Sequence, residues 1–415
     1  MLRVVMVSPL PPEQTGESEY TASLIRELER TGKVEIVAIA GTGAAPLASD
    51  RGLVRTLSVW KHRSLLYPLR LFREITRSRP HIVHVQFGPH GKIYGGLFGE
   101  LMLVLLVLLR VGGLRTTVTL HSTWTLSQVS ERVRSYGKMG RLAVFAPALF
   151  RLYMRALDIG TDMVQISTVT EGSTLRRVFL NQFKYDPAKV TEIPHPCRDV
   201  HRTLSQDSAS RIEVPRGDIA LGFGFIRRGK GLETAISAMR YVVDSLPSAI
   251  LLVAGRPIDE DGERYLAEMK RLVSDVGVAG NIHFLTKFVP DSEVESLIAS
   301  ARLLLFPYTE SVGASGPIHN LAGYGRPIVA SDTGYHMREA LGGNLVLFRA
   351  GDPRDLADKL LYVLCDTDRA KSIGERIASY ARRQDWRTAA VRTLGHYRSV
   401  LSSGMRIFKH SVTDR

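Results

Sequence analysis

The sequence predicts an α/β protein with two doubly wound domains, each built on a parallel sheet. Short β-branched runs alternate with stretches long enough for helices, which is typical of βαβ units. The pattern occurs twice, before and after a polar segment at 195–216 that contains Pro196 and Pro215 and has neither helical nor strand periodicity. With 415 residues, 44% of them hydrophobic, the chain is long enough for two cores.

The strand-like runs define the order of elements in each half. Those of the first half lie at 4–8, 34–40, 81–87, 116–122, 163–168 and 190–194. Those of the second half lie at 219–225, 249–255, 282–286, 303–307, 327–331 and 345–349. We therefore predict an N-terminal domain at 1–200, a C-terminal domain at 201–385 and a helical tail at 386–415. Because parallel sheets bind ligands at the carboxyl ends of their strands, candidate site residues are sought just after each strand.

The formal net charge of +14 favours an acidic partner, which includes nucleic acid, anionic lipid and phosphorylated small molecules. Residues 51–80 contain eight Lys or Arg and one acid, together with Trp60 and Phe72. This mixture is typical of an amphipathic element on an anionic membrane, and also of a solvated helix with an ordinary core face. Nucleic acid is not expected, because no recognition motif that combines aromatic and basic residues is present.

Three further features of the sequence bear on the cellular location of the protein. The apolar stretch 97–111 is interrupted by Glu100 and Arg110, so it is predicted to be a buried helix rather than a membrane span of about 20 residues. Two distant cysteines indicate neither a disulfide framework nor a zinc site. No signal segment precedes the first strand-like run, so a cytoplasmic protein, in part peripheral to the membrane, is expected.

Two segments of the N-terminal half follow predicted strands and carry candidate ligand groups. Gly16 lies in a loop before a helix that Thr15 or Ser18 is suited to cap, and such a loop offers N–H groups to an anion. An ordinary strand-to-helix turn has the same composition. His121 lies just past the end of a strand, and His84 and Gln86 lie on or just after the preceding strand. A histidine at such a place also occurs as a purely structural residue.

The loop after the first strand of the C-terminal half combines glycines with cations. Four glycines between Gly222 and Gly231 leave room for a ligand, and Arg227, Arg228 and Lys230 are suited to neutralise a diphosphate. A basic surface turn is the alternative.

A second loop, after the strand at 303–307, consists largely of small residues. It leads to Ser315 and Gly316, and a helix is predicted to begin near Pro317, so that the amides of 315–318 face an anion. Glu310 and Asn320 are suited to bond sugar or ribose hydroxyls. A purely structural loop is again the alternative.

These segments together resemble the retaining glycosyltransferases of glycosyltransferase family 4. The resemblance implies the GT-B architecture, with two facing Rossmann-like domains and the active site in the interdomain cleft. Lys230-Gly231 matches a Lys-Gly pair of that family whose lysine binds the donor phosphate. The basic residue that precedes this pair in the family corresponds here to Phe225, so Arg227 or Arg228 has to replace it.

The resemblance also implies that His121 contacts the transferred sugar and that Gly16 approaches the donor diphosphate. Two family glutamates seven residues apart correspond here to Val312 and Asn320, and Glu310 lies two residues early.

The function that follows is metal-independent, retaining transfer of a hexose from a nucleotide-diphosphate sugar to a glycan or lipid-linked acceptor, without a cofactor. The chain offers no pair of carboxylates for a double displacement, so positioning and charge stabilisation are expected to dominate. The alternatives are a nucleotide-sugar epimerase, a sugar phosphorylase, for which no pyridoxal-binding motif is evident, and a non-catalytic partner subunit of GT-B architecture.

Overall fold

A computed structural model describes the chain at residues 1–13, 15–61, 64–88, 94–96, 98–134, 143–167, 172–200, 214–287, 289, 291–311 and 313–410. The chain divides into two compact units. The N-terminal unit comprises Met1–His195 and Trp386–Arg415, and the C-terminal unit comprises Pro196–Asp385. The residues after Asp385, which the sequence analysis separates as a tail, thus belong to the N-terminal unit.

The N-terminal unit is built on a seven-stranded parallel sheet with the order β3-β2-β1-β4-β5-β6-β7. Its strands are β1 Leu2–Val7, β2 Val34–Gly41, β3 Val54–Trp60, β4 Ile82–Phe87, β5 Thr116–Leu120, β6 Met163–Ile166 and β7 Val190–Glu192. The helices connecting them are α1 Gly16–Arg30, α2 Tyr67–Arg77, α3 Leu101–Val111, α4 Leu126–Arg134, α5 Ala146–Gly160 and α6 Thr174–Phe183.

The C-terminal unit is built on a six-stranded parallel sheet with the order β10-β9-β8-β11-β12-β13. Its strands are β8 Asp218–Phe223, β9 Ala249–Ala254, β10 Ile282–Leu285, β11 Leu303–Phe306, β12 Ile328–Asp332 and β13 Val346–Arg349. Its helices are α7 Leu232–Ser245, α8 Glu260–Val276, α9 Asp291–Ser300, α10 Gly316–Ala322, α11 Tyr335–Arg338, α12 Pro353–Leu364 and α13 Thr367–Arg383. The last helix of the chain, α14 Trp386–His410, lies in the N-terminal unit.

Alternating residues of the N-terminal strands form two cores, one on each face of the sheet. Val5 and Val7 pack with side chains of α2, α3 and α5. Val4 and Met6 pack instead with side chains of α1 and α14, including the buried Tyr397. The final helix is therefore part of a layer that covers one face of the N-terminal sheet.

Each sheet has a point at which the strand order reverses. β1 lies between β2 and β4, and β8 lies between β9 and β11. Loops that leave two such neighbouring strands diverge to opposite faces and open a crevice at the carboxyl edge. In the C-terminal unit these are the loops after β8 and β11, which the sequence analysis singles out.

The predicted α/β class with two parallel sheets is confirmed, and each of the twelve predicted strand runs contains a strand. β3, Val54–Trp60, was not predicted from the sequence; it lies within the amphipathic segment 51–80. β3 pairs with β2 along the edge of the sheet, and Trp60 is buried, so this part of the segment belongs to the fold.

The prediction of a buried helix at 97–111 is correct for one side of α3 only. Leu105 and Leu109 are buried, whereas Val104, Val107 and Val111 are exposed. Among the helices in the described ranges, none combines the length and the apolar character that crossing a membrane requires.

Candidate active site

Glycine at position 231 allows the loop after β8 to pack against the end of β11. Gly231 has φ 69°, and a Cβ there would lie 1.7 Å from the carbonyl oxygen of Pro307. The N–H of Thr309 also donates to the carbonyl of Gly229, at 3.1 Å. Because only glycine tolerates both this dihedral angle and this approach, the sequence Lys230-Gly231 fixes the two loops against each other at the switch point.

Lys230 lines a small pocket at the carboxyl ends of β8 and β11, together with Gly224 and Phe306. Its Nζ lies 4.3 Å from the centroid of the Tyr308 ring, a distance suited to a cation–π interaction. Within the described part of the chain, no carboxylate lies within 4.0 Å of this nitrogen. The ammonium charge is therefore held in place by an aromatic ring and is not neutralised by an acid.

The neighbouring arginines are arranged differently. Arg228 donates two hydrogen bonds to Glu268, at 2.7 and 2.9 Å, and Asp261 lies 3.7 Å away. The hydrogen bond to Glu268 and the charge of that carboxylate raise the pKa of the Arg228 guanidinium. Arg227 is exposed and donates to the carbonyl of Arg228. Of the three predicted cations, Lys230 is thus the one that lines the pocket without an acidic partner.

Two tyrosines near this loop differ in how their hydroxyl groups are satisfied. The Tyr265 hydroxyl donates to Glu233 at 2.7 Å and accepts from the N–H of Leu232 at 3.2 Å. The Tyr308 hydroxyl is buried and has no hydrogen-bond partner among the residues that the structure describes. An unsatisfied buried hydroxyl is uncommon in proteins, and here it belongs to the residue whose ring contacts Lys230.

α10 begins at Gly316, near the predicted start at Pro317, but its N-terminus offers fewer amides than expected. Pro317 has no N–H, and the N–H of Ile318 donates to the carbonyl of Ser315 at 3.1 Å. The amides of Ser315 and Gly316 remain, and neither donates to a described residue. The expectation that all amides of 315–318 face a ligand is therefore wrong, because the tight turn uses one of them internally.

The carboxylate and amide predicted for the sugar side lie at the surface of the C-terminal unit. Glu310 is exposed and makes no hydrogen bond or ion pair with the described residues. Asn320 is an exposed residue of α10. Val312 lies outside the described residues. Because both residues are exposed, neither is part of the core of this unit. Their assignment to the sugar stays a prediction.

In the N-terminal unit, α1 begins at Gly16. Thr15 caps it by accepting a hydrogen bond from the N–H of Ser18 at 3.1 Å. A Cβ at Gly16 would meet no atom within 4 Å, so the packing of this unit does not require glycine. Glu17 and Glu19 lie in the first turn, where their charges oppose those of a phosphate. Gly16 therefore stays a predicted contact that the fold itself does not explain.

His121 directly follows β5, and Phe87, Gln86 and Tyr20 contact it. The backbone N–H of His121 donates to the carbonyl of Phe87 at 2.9 Å, and Nε2 of its imidazole donates to Oε1 of Gln86 at 2.8 Å. The ring of Tyr20 packs edge to face against the imidazole, with centroids 4.7 Å apart. The sequence predicted the strand position of each residue, and the structure shows that His121 and Gln86 are hydrogen-bonded.

A buried chain of hydrogen bonds extends from Gln86 to α14. Nε2 of Gln86 lies 3.1 Å from Nε2 of His84, and Nδ1 of His84 lies 2.8 Å from the hydroxyl of Tyr397. Burial, followed by the charges of His396 and His121, holds the pKa of His84 well below its usual value, so the ring is neutral. With Gln86 oriented to accept from His121, its amide donates to Nε2 of His84, which leaves Nδ1–H to donate to Tyr397.

Tyr397 was not among the residues predicted from the sequence. His84 and Tyr397 are 313 residues apart, and no local pattern relates them. The spacing of apolar residues in the tail indicated a helix but not the sheet face that the helix covers.

Comparisons with known proteins bear first on the C-terminal unit. Residues 219–366 match the family described as Glycosyl transferases group 1. Two curated relatives are each described as a D-inositol 3-phosphate glycosyltransferase. The protein of Corynebacterium jeikeium is 27% identical over 192 residues, covering 45% of this chain and 45% of the relative. The protein of a Nocardioides species is 28% identical over 254 residues, covering 57% of this chain and 53% of the relative. The chain thus spans about half the length of these relatives.

Solved structures resemble this chain over nearly its whole length. Sucrose-phosphate synthase from Thermosynechococcus elongatus aligns with a TM-score of 0.72 and 16% identity, covering 97% of this chain and 100% of that one. Anabaena Alr3699/HepE in complex with UDP aligns with a TM-score of 0.70 and 12% identity, covering 96% and 100%. At these identities the likeness concerns the fold.

Proposed function

We propose that the protein is a retaining glycosyltransferase, because residues 219–366 match the family described as Glycosyl transferases group 1 and the chain has the GT-B fold. It moves a hexose from a nucleotide-diphosphate sugar to a glycan or lipid-linked acceptor. The donor diphosphate binds at the carboxyl edge of the C-terminal sheet.

The observation that carries this proposal is the placement of Lys230. Its ammonium group lies at the switch point of the sheet, on a glycine-rich loop, against the ring of Tyr308 and away from carboxylates of the described chain. A cation in such a place lacks a structural counter-charge, which is the arrangement expected when an anionic ligand supplies it. Arg228 contributes mainly by holding the loop to α8 through Glu268.

The proposed role of Lys230 is to stabilise the leaving diphosphate. As the anomeric carbon separates from the diphosphate, negative charge develops on the leaving phosphate oxygen. The Lys230 ammonium group and the amides of Ser315 and Gly316 stabilise this charge, which lowers the barrier because they are already in position. The leaving diphosphate in turn accepts the proton of the attacking acceptor hydroxyl on the same face of the sugar, so the configuration is retained.

His121 and Glu310 are the proposed contacts to the sugar. The hydrogen bond from Nε2 to Gln86 orients the imidazole of His121, which we assign to a hydroxyl of the transferred sugar. Glu310 accepts from further hydroxyls, and Asn320 shares hydrogen bonds with the sugar or the ribose. Gly16 is assigned to the donor diphosphate.

Titration calorimetry with uridine and guanosine diphosphates tests the donor site. The wild-type chain is expected to bind one of them, and Lys230→Ala is expected to lower the affinity about 10- to 100-fold, since it removes a charge-assisted contact. Arg228→Ala is the matched control, expected to change the affinity less than fivefold. Unchanged affinity in Lys230→Ala would overturn the assignment of the donor site.

The reaction itself is tested by incubating the chain with a panel of nucleotide sugars and acceptors and determining the anomeric configuration of the product by NMR. Retained configuration supports the proposal, and inverted configuration contradicts it. Binding of neither nucleotide would favour a non-catalytic partner subunit. Epimerised donor in the absence of an acceptor would favour an epimerase.

A further inference from the structure

The layer of α2, α3 and α5 exposes an unusual number of large apolar side chains. Eleven residues in or just before these helices have relative exposures between 47% and 82%: Leu65, Leu66, Leu69, Val104, Val107, Val111, Val144, Phe145, Leu149, Leu152 and Ile159. We call this set the apolar face. Single exposed apolar residues are ordinary on protein surfaces, but a contiguous group of this size marks an interaction surface.

The three helices form one continuous layer. A Cβ on Gly112, which follows α3, would lie 3.1 Å from Phe72 of α2. A Cβ on Gly160, the last residue of α5, would lie 3.0 Å from Leu106 of α3. The opposite sides of all three helices are buried against the same face of the sheet. The exposed residues of the three helices therefore point away from the sheet in a common direction.

Arginines lie among the apolar side chains, whereas exposed acids do not. Arg70, Arg73 and Arg151 are exposed, and none of them pairs with a carboxylate of the described chain. The acids within these three helices are Glu74 and Asp158, and each is bonded to an arginine of its own helix. The apolar face thus combines aliphatic and aromatic groups with unneutralised positive charge.

We propose that the apolar face docks the protein on an anionic phospholipid bilayer. Exposed Leu, Val and Phe side chains enter the boundary between headgroups and acyl chains, and the arginines bind the lipid phosphates. A second copy of the chain fits less well, because a two-fold interface on this face would bring its unpaired arginines close to those of the partner. A bilayer satisfies the apolar and the basic groups together.

This surface differs from the membrane element expected from the sequence. Residues 51–80 contribute α2 and the residues before it, but β3 in the same segment is part of the sheet. α3 and α5 lie further along the chain and provide the larger share of the apolar face. The surface exists only once these helices pack side by side.

Co-sedimentation of the full chain with vesicles tests the proposal, and it does not depend on sugar transfer. The chain is expected to bind phosphatidylglycerol-containing vesicles, to bind neutral phosphatidylcholine vesicles much less, and to dissociate as salt is raised. Combined replacement of Arg70, Arg73 and Arg151 by Gln should weaken binding roughly 100-fold, at about fivefold for each arginine. Combined Phe145→Ser, Leu149→Gln and Leu152→Gln should weaken it about tenfold or more.

Matched controls come from the helices on the opposite face of the sheet. Combined replacement of the exposed Arg26, Arg387 and Arg398 by Gln removes the same charge, and Val391→Asn removes an exposed apolar side chain. Both controls should bind vesicles as the wild type does, and all variants should keep their melting temperature.

Three results would overturn the proposal. The first is an equal loss of binding in the arginine control, which would mean that net charge alone acts. The second is absence of binding to anionic vesicles. The third is a wild-type dimer in sedimentation that the replacements at 145, 149 and 152 dissociate, which would assign the apolar face to a second copy of the chain.

Discussion

Gln86 of β4 accepts a 2.8 Å hydrogen bond from His121, which directly follows the neighbouring strand β5, 35 positions along the chain. Gln86 is fully buried and in turn contacts His84, which is bonded to Tyr397 of the last helix. The orientation of a predicted sugar-binding histidine is therefore set from inside the N-terminal unit. Its ring nitrogens have different roles because Gln86 accepts from one of them.

Gln86→Met tests whether this bond positions His121. The substitution keeps the volume of the side chain and removes the acceptor, so kcat/KM should fall about tenfold, as expected for the loss of one hydrogen bond. Nucleoside diphosphate affinity should stay unchanged. In a double-mutant cycle with His121→Ala, Gln86→Met should add no further loss, since it acts through His121. Additive losses would show that Gln86 contributes independently.

Gly231→Ala should destabilise the C-terminal unit and abolish nucleotide binding. A Cβ at this position meets the Pro307 carbonyl at 1.7 Å and the residue has a positive φ, so we expect a cost of about 2 kcal/mol or more. Differential scanning calorimetry measures the loss of stability.

Gly16→Ala is the matched substitution, because a Cβ there meets no atom within 4 Å. Gly16→Ala should leave the melting temperature unchanged. If the backbone at Gly16 approaches the diphosphate, the substitution should lower kcat/KM. Full activity of Gly16→Ala would show that Gly16 is not part of the donor site.

Tyr308→Phe should separate stability from binding. Its hydroxyl is buried without a partner in the described chain, so its removal should leave the free energy of unfolding unchanged or raise it by about 1 kcal/mol. The affinity for the nucleoside diphosphate should fall if this hydroxyl bonds the ligand. Tyr265→Phe provides the contrast, because it breaks bonds to Glu233 and Leu232 and should cost about 1 to 3 kcal/mol. A destabilised Tyr308→Phe protein would contradict the prediction.

His396 should make stability depend on pH in the acidic range. Burial lowers its pKa from 6.5 to about 4, and Thr117 and Thr191 hold the neutral ring. Between these pH values the unfolded chain binds a proton that the folded chain does not. The free energy of unfolding therefore falls as pH is lowered from 6.5 to 4, by about 3 kcal/mol for this residue.

Chemical denaturation at a series of pH values measures this slope. His396→Gln should flatten it, although the buried His84 will keep part of it. His283→Gln, at an exposed position of the other unit, should leave the slope as it is. An unchanged slope in His396→Gln would show that this ring is protonated at the same pH in both states.

The sequence by itself determined the features that depend on short stretches of chain. Alternating β-branched and helical stretches located twelve strands, and glycines beside a cation located the loop that ends at Gly231, because apolar periodicity and backbone sterics act over a few residues. The same local character made His121 recognisable as a residue at the end of a strand.

Only the tertiary structure decided which of the candidate groups are available to a ligand. Arg228 and Lys230 look equivalent in the sequence, but Glu268, 40 residues from Arg228, neutralises the arginine. Lys230 instead lines the pocket, where its ammonium group contacts the ring of Tyr308. β3 is a strand because β2 pairs with it, and the apolar face forms because three separate helices pack side by side. Partners of this kind are distant in the chain, so no local pattern of residues encodes them.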